Sequence, residues 1–314
     1  MTIRRSIDAA LNIAPSDDTI ASALAAAAAR LASAKHRKDG RIEGNAAGLD
    51  AHRSIARPEA EILLGFVLGK SRTQLRLYPE APLSPESAAL FASLIERRIA
   101  GEPIAYLTGR REFWSLDLQV TPDTLIPRPE SEHLVEVALE GIDPSEAMWI
   151  ADIGTGSGAV ALAIASERER AQVLATDRSL AALEIARKNA KRSGIENVSF
   201  ALGDSCAALK NARWSAIVSN PPYIAIDDPH LLAGDIAFEP RQALVAGKQG
   251  LDMLARLALE VPARLIEGGL LVLEHGWQQG EDVRRLLAKS GFSQISTRRD
   301  LAGHERITSG RMMG

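Results

Sequence analysis

The chain has 314 residues, 46% hydrophobic and 25% charged, the balance of an ordinary soluble globular protein with room for one large domain and a small one. A net charge of −3 gives no electrostatic footprint for holding nucleic acid over a wide face. The single cysteine, Cys206, excludes an internal disulfide framework and any zinc site built on cysteines, and it suits a reducing cytoplasm.

Met1-Thr2-Ile3-Arg4-Arg5 is followed by Asp8, Asp17 and Asp18, with no apolar core of a signal peptide. The Ala21–Ala29 run is too short and too weakly apolar to span a bilayer, and it reads as a helix capped by Asp17 or Asp18. Lys35 to Arg41, with Gly44 and Gly48 beyond, reads as a solvated loop. A second helix is expected from Arg57 to Gly69, with Pro58 near its start, where proline is tolerated. Ser84-Pro85-Glu86 opens a third, which runs through Leu90, Leu94 and Ile99 to a stop at Gly101. Residues 1–101 are therefore expected to form a small helical domain without chemistry of its own, suited to binding protein.

From Glu112 the period changes to alternation. Phe113, Leu116, Leu118 and Val120 suggest a hairpin with Asp123 near its turn, within a linker of residues 102–135. Ile126-Pro127-Arg128-Pro129-Glu130 then enters a helix from Ser131 to Leu139.

Residues 136–314 read as strand, loop and helix in repetition, the pattern of a mostly parallel sheet. The strand Met148–Asp152 leads into Gly154-Thr155-Gly156-Ser157-Gly158 and a helix over Ala159–Ala165. Glycines let a ligand approach the backbone, and a helix N-terminus offers free N–H groups. The strand Val173–Thr176 ends at Asp177, about twenty residues past the loop, where an acid grips ribose hydroxyls in nucleotide-binding units. The spacing Gly-x-Gly-x-Gly is not that of dinucleotide folds, so a nucleoside cofactor is indicated without its identity. A helix from Leu180 to Ser193 and strands at Val198–Ala201 and Trp214–Ser219 come next. Then come a helix over Leu251–Leu265, a strand over Leu270–Glu274, a helix over Glu281–Lys289, and strands near Phe292–Arg298 and Glu305–Thr308.

The strand Trp214–Ser219 delivers Asn220-Pro221-Pro222-Tyr223 to the sheet edge that carries the glycine loop. Two prolines stop a strand and stiffen the loop beyond it. Asn220 Oδ1 and the Pro221 carbonyl can accept the hydrogens of a planar –NH2 group, and Tyr223 can stack on its face. The plain alternative is a Pro-Pro turn at a strand end.

Gly-x-Gly-x-Gly followed by Asn-Pro-Pro-Tyr resembles an S-adenosylmethionine-dependent methyltransferase acting on an exocyclic or amide nitrogen. Glu102–Gly109, Glu112-Phe113-Trp114, Ile126–Glu130, Phe238-Glu239-Pro240-Arg241 and Leu273–Gly280 narrow the resemblance to the release-factor glutamine methyltransferase family (HemK/PrmC), over roughly residues 55 to 312. The resemblance implies a Rossmann-like class I methyltransferase sheet of seven strands, the last antiparallel, behind the helical domain and the hairpin linker. It implies transfer from S-adenosyl-L-methionine, leaving S-adenosyl-L-homocysteine, to the glutamine amide of the Gly-Gly-Gln loop of class I peptide chain release factors, in the cytoplasm and without a metal. Asn220, Pro221 and Tyr223 would be catalytic. Gly154, Thr155, Gly156, Ser157, Gly158, Asp177, Ser205 and Asn220 would hold the cofactor. Asn220, Pro221, Pro222, Tyr223 and Phe113 would hold the substrate.

Two features depart from the family. Residues 36–54 are longer than it needs, and Ser205-Cys206 follows Asp204 where close bacterial relatives carry a tryptophan that covers the adenine. No base is evident, since none of His230, His275 and His304 has a spacing that demands one. Competing readings are a methyltransferase acting on adenine or guanine amino groups of DNA or RNA, which needs a basic face, a nicotinamide-dependent dehydrogenase, and a binding protein that kept the fold.

Overall fold

The computed structural model describes residues 19–38, 46–210 and 213–314. The chain divides into two compact units between Thr108 and Gly109. That boundary falls inside the expected linker of residues 102–135: a short helix at Ile104–Thr108 goes with the first unit and the hairpin with the second.

The first unit contains α1 (Ile20–Lys38), α2 (Ala46–Leu68), α3 (Arg72–Leu77), α4 (Pro85–Ala100) and α5 (Ile104–Thr108). Ile20, Leu24, Ala27 and Leu31 recur at the spacing of one helical face. They are buried with Ala60, Leu63 and Leu64 of α2 and Phe91, Leu94 and Ile95 of α4. Thr19 opens α1, its hydroxyl accepting from the N–H of Ser22 at 3.3 Å. Asp17 and Asp18, the expected caps, lie outside the described residues, as does Gly44. Of the residues expected in the solvated loop, Lys35–Lys38 instead continue α1 and Gly48 belongs to α2. Pro58 sits inside α2 rather than near its start. A proline there removes one backbone bond, and the buried row of Ala56, Ala60, Leu63 and Leu64 holds the helix across it. Ser84 caps α4 and Gly101 ends it in the left-handed conformation, as expected. Glu61, buried in this unit, is tied to Arg57, Arg72 and Arg76 at 3.3, 2.9 and 2.9 Å, which joins α2 to α3.

The second unit begins with the hairpin β1 (Arg110–Phe113) and β2 (Leu116–Gln119). Its turn is Trp114-Ser115, both with positive φ, and not the region of Asp123. Non-glycine residues are held there by hydrogen bonds: the Trp114 N–H donates to Glu132 and the Ser115 N–H to Glu112. Phe113 and Leu118 point into the core of this unit.

The remaining elements are α6 (Glu132–Gly141), β3 (Trp149–Ile153), α7 (Ala159–Glu167), β4 (Gln172–Asp177), α8 (Leu180–Ser193), β5 (Val198–Leu202), β6 (Trp214–Ser219), α9 (Asp252–Glu260), β7 (Leu265–Glu274), α10 (Gly280–Lys289), β8 (Phe292–Arg299) and β9 (Glu305–Met312). The expected helix to Leu265 stops at Glu260, because Pro262 begins a tighter turn and Leu265 already pairs with Trp214. The sheet order is β5-β4-β3-β6-β7-β9-β8, parallel except for β9, which runs antiparallel to both neighbours. It is the Rossmann-like sheet expected from the sequence. Successive strand residues face opposite sides. Ile150, Ala216, Val218 and Val272 pack under α6 and α7, while Ala151, Ile217, Leu271 and Leu273 pack under α9 and α10. The strand order reverses between β3 and β6, and at such a point the loops splay apart to leave a crevice at the carboxyl edge.

Candidate active site

Three strands meet at that crevice. Ile153 of β3 lies between Thr176 of β4 and Ser219 of β6, and the Ser219 hydroxyl donates to the Ile153 carbonyl at 2.7 Å. The loops leaving them line a cavity of about 340 Å³ that includes Gly154, Gly156, Asp177, Ser205, Asn220 and Pro222. A smaller cavity of about 50 Å³ adjoins it, lined by Phe113, Asp152, Thr155, Ser157 and Asn220, with Gly154 and Gly156 common to both. Of the residues expected from the sequence, Gly158, Pro221 and Tyr223 line neither.

Gly154, Gly156 and Gly158 all have positive φ, which favours glycine at each. Their surroundings differ. A Cβ at Gly154 or Gly156 would meet nothing within 4 Å, whereas at Gly158 it would stand 3.1 Å from Ala186 Cβ of α8. The first two keep the cavity wall low, and the third lets α7 and α8 close together. Asn189 of α8, fully buried, locks the loop by donating to the Ser157 carbonyl at 2.9 Å while pairing with both backbone groups of Gln119.

Asp177 accepts from the Gly156 N–H at 2.9 Å through one oxygen and from the Ser179 N–H at 2.8 Å through the other. Each oxygen keeps lone-pair capacity toward the cavity. Ser205 is 2% exposed, has positive φ, and its hydroxyl has no partner among the described residues. Asp152 is fully buried below the loop. Burial, reinforced by the Asp177 charge, pushes its carboxyl up to about 7 although Thr155 Oγ1 donates to it at 2.6 Å.

The loop after β6 is held by residues far away in sequence. Asn220 Nδ2 donates to Ser131 Oγ at 3.0 Å. Ser131 Oγ donates to Glu274 Oε2 at 2.6 Å, and Tyr223 Oη donates to Glu274 Oε1 at 3.2 Å. Asn220 Oδ1 has no partner among the described residues. Tyr223 is thus turned toward Glu274, and burial with that carboxyl beside it raises its phenol. Burial likewise raises Glu274 above the ordinary carboxylate range, opposed by the two hydroxyls and by Arg306. Sequence reasoning alone gives Ser131 and Glu274 no role. The available signal is an acid closing the apolar run Leu270–Leu273, since an acid there is buried at a cost unless it has partners.

Ile126–Glu130, Phe238–Arg241 and Leu273–Gly280 also meet here. Glu239 accepts from the Ile126 N–H at 3.0 Å and from Arg128, which joins Phe238–Arg241 to Ile126–Glu130. Gln279 Nε2 donates to the Tyr223 carbonyl at 3.0 Å, and Gly250 packs so close that a Cβ would stand 2.1 Å from that oxygen. His275 is buried, with its ring nitrogens against the Gly276 carbonyl and Thr308, and burial lowers its pKa. His230 is exposed beside Asp228, and His304 packs at a tilt against Trp277. Among the described residues lining the two cavities there is no histidine, and no cluster of described His, Cys, Asp and Glu could hold a metal. No described helix is long and apolar enough to cross a membrane.

Comparison with known proteins extends these observations. Residues 46–109 match the PrmC N-terminal domain, and residues 133–260 match the methyltransferase small domain. The release factor glutamine methyltransferase of Xylella fastidiosa (strain Temecula1) is 50% identical over 264 residues, covering 84% of this chain and 96% of that relative. Proteins of the same name from Salmonella typhimurium and Escherichia coli K12 are 49% and 46% identical, each over 81% of this chain and 92% of the relative.

Proposed function

This chain belongs to the release factor glutamine methyltransferase family, and from that membership we propose the donor it uses and the residues by which it works. It is a methyltransferase that modifies the side-chain amide of a glutamine in a release factor. The proposal extends this to the Gly-Gly-Gln loop of class I peptide chain release factors in the cytoplasm, with S-adenosyl-L-methionine as donor. The observation that carries it is Asn220, which lines both cavities and keeps Oδ1 free of partners among the described residues.

The larger cavity suits that donor. Its glycine wall has no side chains to fill it, and Asp177 has acceptor capacity for two ribose hydroxyls. When bound, S-adenosyl-L-methionine supplies an electrophilic methyl on a sulfonium and leaves as S-adenosyl-L-homocysteine.

The protein's own task is harder. An amide nitrogen is a weak nucleophile because its lone pair is delocalised into the carbonyl. Asn220 Oδ1 accepts one amide hydrogen, which draws the lone pair out of conjugation and points it toward the larger cavity, whereas Pro221, the acceptor expected for the other hydrogen, lines neither cavity. Phe113 forms an apolar wall of the smaller one. Positioning and electrostatics of this kind need no general base. The proton, acidic once the nitrogen carries its methyl, passes to water. Transfer to adenine or guanine amino groups would use the same clamp, but the relatives from Xylella, Salmonella and Escherichia modify glutamine and the net charge of −3 gives no basic face.

Mass spectrometry of a purified release factor incubated with the protein and S-adenosyl-L-methionine should show one methyl group on the Gly-Gly-Gln glutamine. Asn220→Ala removes the acceptor and should lose on the order of 10²-fold more rate than Asn220→Asp, which keeps one. An Asn220→Ala variant as fast as the parent would reduce the tetrapeptide to a turn.

A further inference from the structure

The clamp works only if Asn220 presents its oxygen, not its –NH2, to the substrate. The two ends of an asparagine amide are nearly the same size, so shape does not choose between them. A hydrogen-bond partner must. Ser131 Oγ is that partner, at 3.0 Å, and it carries a single hydrogen. With Glu274 ionised, as the Tyr223 hydroxyl and Arg306 favour, that hydrogen is committed to Glu274 Oε2 at 2.6 Å. Toward Asn220 the hydroxyl can therefore only accept, and only Nδ2 can satisfy it.

We propose that Ser131 and Glu274 are positioning residues that set the orientation of the Asn220 amide, so that Oδ1 faces the substrate. The proposal rests on the reading of Asn220 as an amide clamp. All three members are supported. Ser131 is 3% exposed and Glu274 1%. Glu274 closes β7, Asn220 follows β6, and the two strands are paired through Ser219 and Leu273. Tyr223 donates to the second oxygen of Glu274 at 3.2 Å, which keeps the carboxyl from turning away from Ser131. The tyrosine of the tetrapeptide thus supports its asparagine through two intermediates. Ser131 follows the Ile126–Glu130 motif in sequence, so the segment that carries that motif also delivers the hydroxyl.

Loss of Ser131 would free the amide to turn over, halving its productive fraction, and would loosen its position. Together these should lower the single-turnover rate about tenfold. Aspartate at position 220 is indifferent to turning over, because both its ends are acceptors, and it has already lost the Nδ2 that anchors the amide on Ser131. The test is therefore a cycle of the parent, Ser131→Ala, Asn220→Asp and the double variant. Single-turnover rates would be read on saturating release factor and cofactor, with cofactor affinity read by calorimetry. Ser131→Ala should cost about tenfold in the parent and under about twofold in the Asn220→Asp background, with cofactor affinity unchanged throughout. Ser131→Cys fills the same space with a weak hydrogen-bonding group and should fall with Ser131→Ala. A parent rate for Ser131→Ala or Ser131→Cys, or the same loss in both backgrounds, would overturn the proposal. Failure of the clamp itself looks different, since Asn220→Ala would then run at the parent rate.

Discussion

Gly156 and Gly158 are two residues apart, both with positive φ, yet alanine should damage them in different ways. At Gly158 the left-handed backbone costs an alanine about 1–2 kcal/mol. Its Cβ would also stand 3.1 Å from Ala186 Cβ, which cannot move without shifting α8, and 3.2 Å from Leu162 Cδ1, whose side chain is fully buried. Overpacking of that kind adds about 1–3 kcal/mol. A total of about 3 kcal/mol in a unit of this size lowers the melting temperature by roughly 6–12 °C. At Gly156 only the backbone cost applies, since a Cβ would meet nothing within 4 Å. That space is the cavity wall, so the methyl should instead obstruct the cofactor. Calorimetry with S-adenosyl-L-methionine and thermal denaturation of both variants separate the two effects. Gly156→Ala should lose about tenfold or more in affinity with a small change in melting temperature, and Gly158→Ala the reverse. Equal melting losses, or a Gly156→Ala variant that binds like the parent, would refute this division of the loop.

Asp177→Ala should weaken S-adenosyl-L-methionine by roughly 1–3 kcal/mol, the loss of charge-assisted hydrogen bonds, and unchanged calorimetric affinity would remove Asp177 from the site. Asp152 should make stability depend on pH. Its folded pKa, about 7, lies above the ordinary 3.8, so in between the folded state holds a proton that the unfolded state has released. That contribution is complete below about pH 4 and is lost as pH rises through about 7, by a few kcal/mol in all. Asp152→Asn has no proton to lose and should flatten the profile measured by denaturant unfolding from about pH 4 to 8, whereas parallel profiles would count against it. We propose that residues before Gly109 recognise the release factor and do no chemistry. Their removal should abolish methylation of intact release factor while cofactor binding persists, and a truncated protein as active as the whole would refute that role.

Much of the fold is legible in the sequence because its punctuation is local. Leu180–Ser193 is bounded by Ser179 and Gly194, and Pro85–Ala100 by Ser84 and Gly101, residues whose own conformations cap a helix. Where punctuation misleads, tertiary contacts have overridden it. Pro58 suggests a helix start, yet α2 begins at Ala46 and its buried row carries the helix through the proline. Asp123 draws the expected hairpin turn because a two-residue turn usually announces itself with glycine, asparagine or aspartate. Trp114-Ser115 does not, and its positive φ values are sustained by Glu132 and Glu112, one of them far along the chain.

The site divides along a similar line. Residues that face a ligand have types that announce the chemistry: glycines that leave room, an acid at a strand end, an amide beside two prolines. Residues that hold those in place are recognisable only by burial and by partners. Ser131 is 89 positions from Asn220 and 143 from Glu274, and each alone is an unremarked serine or glutamate. Tyr223 is the instructive case. Its type suggests stacking on a planar substrate, whereas the structure packs it, half-buried, against the core on the α9 and α10 side of the sheet and points its hydroxyl at Glu274. An aromatic ring can serve either purpose, and the hydroxyl is what separates them. A ring needed only for stacking has no use for a buried partner, because leaving the hydroxyl unpaired or replacing it would suffice. A hydroxyl aimed at a buried carboxyl instead satisfies a group that would otherwise cost about 1–3 kcal/mol. Tyrosine, not phenylalanine, at position 223 is thus accounted for by Glu274, and Glu274 by its grip on Ser131.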